Sequence, residues 1–184
     1  MEDFIVEDLP FNGLKLIKRR FKNDNRGFFS KLYCTDQLSV HGFSKPVLQI
    51  NHSFSTIKGT IRGMHYQINP YGDTKLVNLI RGEIVNVVVD LRIKSPTYLK
   101  SYSIKLTEGE GVGILIPYGF AQGFQTLADN TELIYCHSQE YHKDLDRGLN
   151  PFDPTLSINW PFPVSNISER DKSHQLIDLN FKGL

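Results

Sequence analysis

Cysteine is scarce in the 184-residue chain: only Cys34 and Cys136 occur, far apart and in no paired motif. Neither a CxxC metal site nor a redox pair can be built from them, and two reduced packing cysteines are expected. No charge of one sign dominates. Lys and Arg number 21 against 20 Asp and Glu, a formal net charge of +1. That balance gives no general attraction to a polyanion, so a nucleic-acid or anionic-membrane binder is disfavoured, while a local basic pocket for a small phosphorylated ligand stays open. No stretch approaches the roughly 20 apolar residues that span a bilayer. The acidic start Met1-Glu2-Asp3-Phe4 has no basic segment followed by an apolar one, so a cytoplasmic protein is expected. Repeats, low-complexity tracts and linkers are missing too, and a single domain over residues 1–184 is expected. A chain of this length buries roughly 70% of its unfolded surface without staples.

What is present is dominated by strand signals. Leu76 to Ile80 and Ile84 to Leu91 are β-rich runs separated by Arg81-Gly82-Glu83, which predicts a hairpin. In the second run Ile84, Asn86, Val88 and Asp90 share one face, and Val85, Val87, Val89 and Leu91 the other. A mixed, partly polar face backed by an apolar one suits a barrel or sandwich whose interior holds a ligand. Tyr102, Ile104 and Leu106 alternate with Ser101, Ser103 and Lys105, a strand with one wet face. Gly109, Gly111 and Gly113 read as a turn before Ile114-Leu115-Ile116-Pro117; a phosphate cradle would need a helix directly after the glycines, and a strand follows. Glu132 to Ser138 is a further strand. Helix signals are confined to Asp36-Gln37-Leu38-Ser39-Val40 and to residues after Glu169. The pattern predicts an all-β sandwich or barrel with short terminal helices.

Six histidines occur, at positions 41, 52, 65, 137, 142 and 174. None forms the His-x-His pair that metal-binding β-barrels usually present, so no metal site is expected. His137 and His142, five apart, fit neither one strand face nor one helix face well. Hydrolysis is disfavoured as well, because the chain has no G-x-S-x-G elbow and Cys136 and His137 point to opposite strand faces. Chemistry is left to a few segments. These are Gly59-Thr60-Ile61-Arg62-Gly63-Met64-His65-Tyr66-Gln67, Lys75 before its strand, Gly119-Phe120-Ala121-Gln122-Gly123-Phe124, Tyr135, and Ser168-Glu169-Arg170-Asp171. Singly, each fits a packed histidine, a core tyrosine, a snorkelled lysine or a helix cap.

Together with Asp24-Asn25-Arg26-Gly27-Phe28-Phe29, Gln49-Ile50-Asn51-His52-Ser53, Ser95-Pro96-Thr97 and Asn159-Trp160-Pro161, these segments closely resemble the dTDP-4-dehydrorhamnose 3,5-epimerase family in order and spacing, over most of the chain. The resemblance implies a cupin-type double-stranded β-helix (jelly roll), usually a homodimer. It also implies epimerisation of C3 and/or C5 of a nucleotide-diphosphate 4-keto-6-deoxy sugar, in surface-polysaccharide synthesis, with no cofactor. Carried over residue by residue, His65 would be the base, Asp171 the carboxylate that holds it, Lys75 the ammonium facing the C4 oxyanion, and Tyr135 the acid on the other face. Arg26 and Phe29 match nucleotide contacts. Gln49, Asn51 and Arg62 match positions that meet the diphosphate or sugar, and Tyr141 would line the same mouth.

Two positions depart from the family pattern. Gln122 stands where the family commonly has histidine, and glutamine can neither gain a charge nor shuttle a proton. Lys31 reverses the charge of a family glutamate. Both bear on which centres are inverted and on which base the substrate carries, dTDP, GDP (as in 4-keto-6-deoxy heptoses) or CDP. A 3,4-ketoisomerase of the same ketosugars and a non-catalytic sugar-nucleotide-binding cupin are the alternatives.

Overall fold

In the computed structural model, residues 3–184 are described. The chain runs through β1 (Phe4–Asp8), β2 (Lys15–Arg19), β3 (Lys22–Asp24), β4 (Gly27–Phe29), α1 (Thr35–Ser39), β5 (Gln49–Ser55), β6 (Ile61–Gln67), β7 (Lys75–Arg81), β8 (Glu83–Asp90), β9 (Ser101–Thr107), β10 (Val112–Ile116), β11 (Phe120–Thr126), β12 (Thr131–His137), β13 (Asp146–Gly148), a 3-10 turn (Pro154–Leu156) and α2 (Glu169–Lys172). The strands form a six-stranded sheet in the order β1-β2-β10-β7-β12-β5 and a five-stranded sheet in the order β13-β6-β11-β8-β9, with β3 and β4 as a separate hairpin. Two sheets facing each other with period-two alternation give the expected all-β sandwich.

Alternation sorts the apolar residues into three layers. Val77, Leu79, Ile84, Val88, Ile114, Phe124 and Leu133 meet between the sheets. Leu76, Leu115 and Cys136, the opposite-face neighbours on the six-stranded sheet, pack under Leu38 of α1 and Phe43. On the five-stranded sheet Val87, Val89, Leu91 and Ala121 pack under Leu149, Leu156, Trp160 and Phe181 from the C-terminal stretch. The apolar face of β8 is therefore a second core layer, with Val87, Val89 and Leu91 completely buried. Among the described residues thirty hydrophobic side chains are buried, and the Val, Leu, Ile, Phe and Met side chains among them would each contribute roughly 1.5–3 kcal/mol in transfer terms, most of it offset by ordering entropy.

The hairpin expected at Arg81-Gly82-Glu83 does not form. β7 pairs with β10 and β12, whereas β8 pairs with β11 and β9 in the opposite sheet. The reason is non-local: Val77 and Leu79 bury against Ile84 and Val88 across the sandwich, so the turn must cross between sheets. Gly82 makes the crossing with φ +83, and a Cβ there would lie 2.5 Å from the Thr131 hydroxyl. Gly113 also differs from expectation. Gly109 and Gly111 turn with positive φ, but Gly113 belongs to β10.

The fold leaves one end of the sandwich interior polar. On the inner faces of β7, β12 and β5, Lys75, His137 and Gln49 lie in one cross-strand row, and Val77, Tyr135 and Asn51 in the next. Gln122 and His65 oppose each other on the facing sheet.

Candidate active site

These rows open into a cavity of about 850 Å³ between the sheets. His65, Asp171, Lys75, Tyr135, Gln49, Asn51, Arg62, Gln122 and Tyr141 all line it. Nine of the eleven residues expected at the site thus converge. Arg26 and Phe29 do not. They sit on the β3–β4 hairpin, where Phe29 is exposed and Arg26 folds its guanidinium onto Asp24. Lys31 likewise turns from the cavity and pairs with Asp3 at 2.8 Å.

Arg62 and His65 are three apart, an odd spacing that on a regular strand puts them on opposite faces. Both reach the cavity because β6 carries an extra residue. Arg62 pairs with Phe124 and His65 with Gln122, three steps on β6 against two on β11. The bulge falls at Gly63, with φ +117, and a Cβ there would lie 2.6 Å from the Cα of Gly123. Its amide leaves the ladder and donates to Asp171 Oδ2 at 3.0 Å.

Asp171 arrives on α2. Ser168 caps this helix, its hydroxyl accepting the Asp171 N–H at 3.0 Å. A carboxylate three residues after the cap ordinarily reaches back to the cap's own N–H. Here it points away: Oδ2 accepts from Gly63 and Oδ1 lies 2.7 Å from His65 Nε2. Burial pushes the Asp171 carboxyl up, but hydrogen bonds from His65 and Gly63 outweigh it and hold it below the usual carboxylate range. An ionised Asp171 makes Nε2 the protonated nitrogen of a neutral His65. Nδ1 is then the basic atom, without a protein partner among the described residues, on a ring 36% exposed.

From the facing sheet Tyr135 enters on β12. Burial is the main cause that pushes its phenol up to about 12, against an opposing pull from the Arg62 charge. Such a hydroxyl stays protonated throughout the neutral range. Lys75 is buried and has no carboxylate partner among the described residues, so its ammonium is a free positive charge in the cavity. Arg62 is steadied by Ser55 Oγ at 3.1 Å and by the Phe54 carbonyl at 3.0 Å. Gln122 donates to Asn86 Oδ1 at 2.8 Å, both side chains being buried. That pair is neutral on both sides.

Sequence reading missed three contributors: Gly63 as the bulge that turns Arg62 inward, Asn86 as the partner of Gln122, and a second imidazole–carboxylate pair. In that pair His137 Nδ1 lies 2.6 Å from Asp73 Oδ2. Since Tyr135 and His137 are two apart on one strand, period-two alternation places both on the same face, and that signal was available.

Comparison with known proteins agrees with this geometry. The family described as dTDP-4-dehydrorhamnose 3,5-epimerase matches residues 8–178. A dTDP-4-dehydrorhamnose 3,5-epimerase of Sinorhizobium fredii is 36% identical over 94% of this chain and 89% of its own length. Among solved structures, the dTDP-4-dehydrorhamnose 3,5-epimerase of Bacillus anthracis with TDP and pyrophosphate bound superposes with a TM-score of 0.90. It is 36% identical, over 95% of this chain and 99% of that one. The dTDP-6-deoxy-D-glucose-3,5-epimerase of Legionella pneumophila, in complex with dTDP-4-keto-L-rhamnose, gives 0.90 at 30% identity over 97% of this chain and 95% of that one. The two-sheet sandwich is the cupin-type jelly roll of these enzymes.

Proposed function

Because this chain belongs to the dTDP-4-dehydrorhamnose 3,5-epimerase family, an isomerase-class enzyme family, we propose that it inverts C3, C5 or both of a dTDP-linked 4-keto-6-deoxy sugar. One observation carries the chemistry: an imidazole with one nitrogen tied to a buried carboxylate and the other free in the cavity, opposite a protonated tyrosine on the facing sheet.

The 4-keto group acidifies the hydrogens at C3 and C5. His65 Nδ1 takes the proton, the C–H electron pair moves into the carbonyl, and the enolate oxygen forms. Asp171 stabilises the resulting imidazolium and fixes its orientation. Lys75 stabilises the oxyanion, with more effect in a partly desolvated cavity than in water. Tyr135 then delivers its proton to the opposite face of the carbon, and solvent exchange restores both residues. One proton leaves and one returns, so the oxidation state is unchanged and the reaction calls for no redox cofactor.

Gln122 supports selectivity for one centre, with C3 favoured. Its amide hydrogen-bonds Asn86 and supplies no proton where the family commonly has an imidazole. Arg26 and Phe29 lie outside their own cavity, so a role at the nucleotide requires a second copy of the chain. The exposed apolar residues Ile50 and Phe54 on the outer face of edge strand β5, with Phe28 on the hairpin, support a homodimer.

The test is incubation in D2O with dTDP-, GDP- and CDP-linked 4-keto-6-deoxy sugars, read by mass spectrometry and NMR. Deuterium entering C3 or C5 of the dTDP sugar together with inverted product is expected. Binding without exchange would contradict the proposal, and so would keto-group migration from C4 to C3.

A further inference from the structure

The His137–Asp73 pair has no part in the proton transfers above, yet it is held as closely as His65–Asp171. Asp73 Oδ1 accepts the Ser138 backbone N–H at 3.0 Å and the Ser138 hydroxyl at 3.2 Å, while Oδ2 meets His137 Nδ1. The other ring nitrogen, Nε2, faces the Asn51 amide nitrogen at 3.4 Å. From there Gln49 Nε2 donates to Asn51 Oδ1 at 2.9 Å, and Gln49 Oε1 accepts the Tyr141 backbone N–H at 2.9 Å.

Both ends of this chain fix its direction. The Tyr141 N–H can only donate, so Gln49 must turn its oxygen there and its nitrogen to Asn51. Asn51 must then turn its nitrogen to His137 Nε2, which accepts. An ionised Asp73 can only accept, so His137 Nδ1 carries the hydrogen. A single neutral tautomer of His137 satisfies every link. Each amide nitrogen spends one hydrogen in the chain and keeps a second, which has no protein partner among the described residues. Asn51 and Gln49 both line the cavity, so two N–H donors are offered to whatever enters. Arg62, on the facing sheet and lining the same cavity, adds a positive charge. Acceptor-only, negatively charged oxygens match that arrangement.

We propose that His137 and Asp73 form a positioning dyad that locks Asn51 and Gln49 with their free donors turned to the diphosphate of the nucleotide sugar. The ligand's identity rests on the epimerase reading; the direction of the hydrogen-bond chain does not.

Asp73→Asn is the sharpest probe. The Ser138 N–H obliges the new side-chain amide to keep its oxygen at the Oδ1 position, so its NH2 faces His137 Nδ1 and donates. The ring must then carry its hydrogen on Nε2, where it opposes the Asn51 NH2 and forces that amide to flip. Long-range 15N–1H NMR of the wild type should show His137 protonated on Nδ1, and Asp73→Asn should move the hydrogen to Nε2. The Kd for dTDP, measured by calorimetry, should rise about tenfold, the loss expected of one charge-assisted hydrogen bond. KM for the sugar nucleotide should rise more than kcat falls. His137→Gln, whose amide can donate to Asp73 and accept from Asn51, should bind dTDP more tightly than His137→Ala. A wild-type His137 protonated on Nε2 overturns the inference, as does an unchanged Kd in Asp73→Asn. Ring spectra and dTDP binding require no turnover, so failure of the dyad is distinguishable from failure of the epimerase chemistry. A wild type that binds no dTDP overturns both.

Discussion

The two imidazole–carboxylate pairs stand on opposite walls of one cavity and differ in which ring nitrogen meets the carboxylate, in whether the other nitrogen is engaged, and in exposure. His65 uses Nε2 for Asp171 and leaves Nδ1 free, with its ring 36% exposed. His137 uses Nδ1 for Asp73 and Nε2 for Asn51, with its ring 16% exposed. A base needs an unoccupied lone pair within reach of a C–H, whereas a histidine with both nitrogens engaged can only hold its neighbours. On the roles proposed above, the same two residue types do different work according to how many ring nitrogens the fold consumes. Asp90 marks a third arrangement. Completely buried, it gathers Arg92, Ser95 and Thr97 around its carboxylate and does not line the cavity that holds the two pairs.

Breaking the proposed catalytic pair, His65 and Asp171, should have the largest effect. Asp171→Asn keeps the shape but no longer selects the protonated Nε2 or stabilises the imidazolium, and kcat should fall by about 10²-fold or more. A steady-state assay that finds less than a tenfold loss in the folded variant would equate Asp171 with an ordinary helix cap.

Tyr135→Phe should separate two steps that His65 variants lose together. Abstraction survives, so deuterium still enters the recovered substrate, while formation of inverted product falls by about 10–10²-fold. In a spectrophotometric titration of the wild type, one phenol should ionise near pH 12, and Tyr135→Phe should remove it. Equal rates of inversion in the variant and the wild type would assign the second proton to another group.

The buried carboxylates can be compared through acid stability. Burial opposes ionisation of Asp90, but Arg92, Ser95 and Thr97 outweigh it and bring the pKa to about 2. A folded value below the unfolded one of about 3.9 stabilises the fold above pH 4, and that contribution is lost as pH falls from about 4 to 2. Relative to the ordinary aspartate value it amounts to about 2 kcal/mol. Asp90→Asn should lower stability in urea at pH 7 by about that much and flatten its dependence on pH below 4. Asp171 acts in the same direction, its contribution also present above the usual carboxylate range and lost below it.

Gln122→His should change least. A new imidazole would meet the Asn86 amide where His65 has a carboxylate, so it would gain no ionic partner. Separate deuteration of C3 and C5 should show slow C5 exchange in the wild type and a severalfold gain in the variant. Full exchange at both carbons in the wild type would rule out selectivity through Gln122.

Period-two alternation made the strands and the inner face of β8 readable from sequence; the same rule puts His137 on the face of Tyr135, a consequence the sequence reading did not draw. What stayed hidden depends on contacts between distant segments. The hairpin at residues 81–83 is locally well formed as a signal, and only packing of Val77 and Leu79 against Ile84 and Val88 sends β8 to the other sheet. The bulge at Gly63 cannot be seen in β6 alone, because it exists as a count against β11. Asp73 and His137 meet across 64 residues, and no spacing rule joins them. His65 and Asp171, 106 residues apart, were paired through resemblance rather than pattern.

Solvent-hydrogen exchange measured side by side in His65→Asn and His137→Asn tests the division of labour most directly. With saturating dTDP-4-keto-6-deoxyglucose in D2O, the first variant should lose incorporation at C3 and C5 by about 10²–10⁴-fold, and the second by less than tenfold. Near-normal exchange in a folded His65→Asn, or equal collapse in both, would contradict the account.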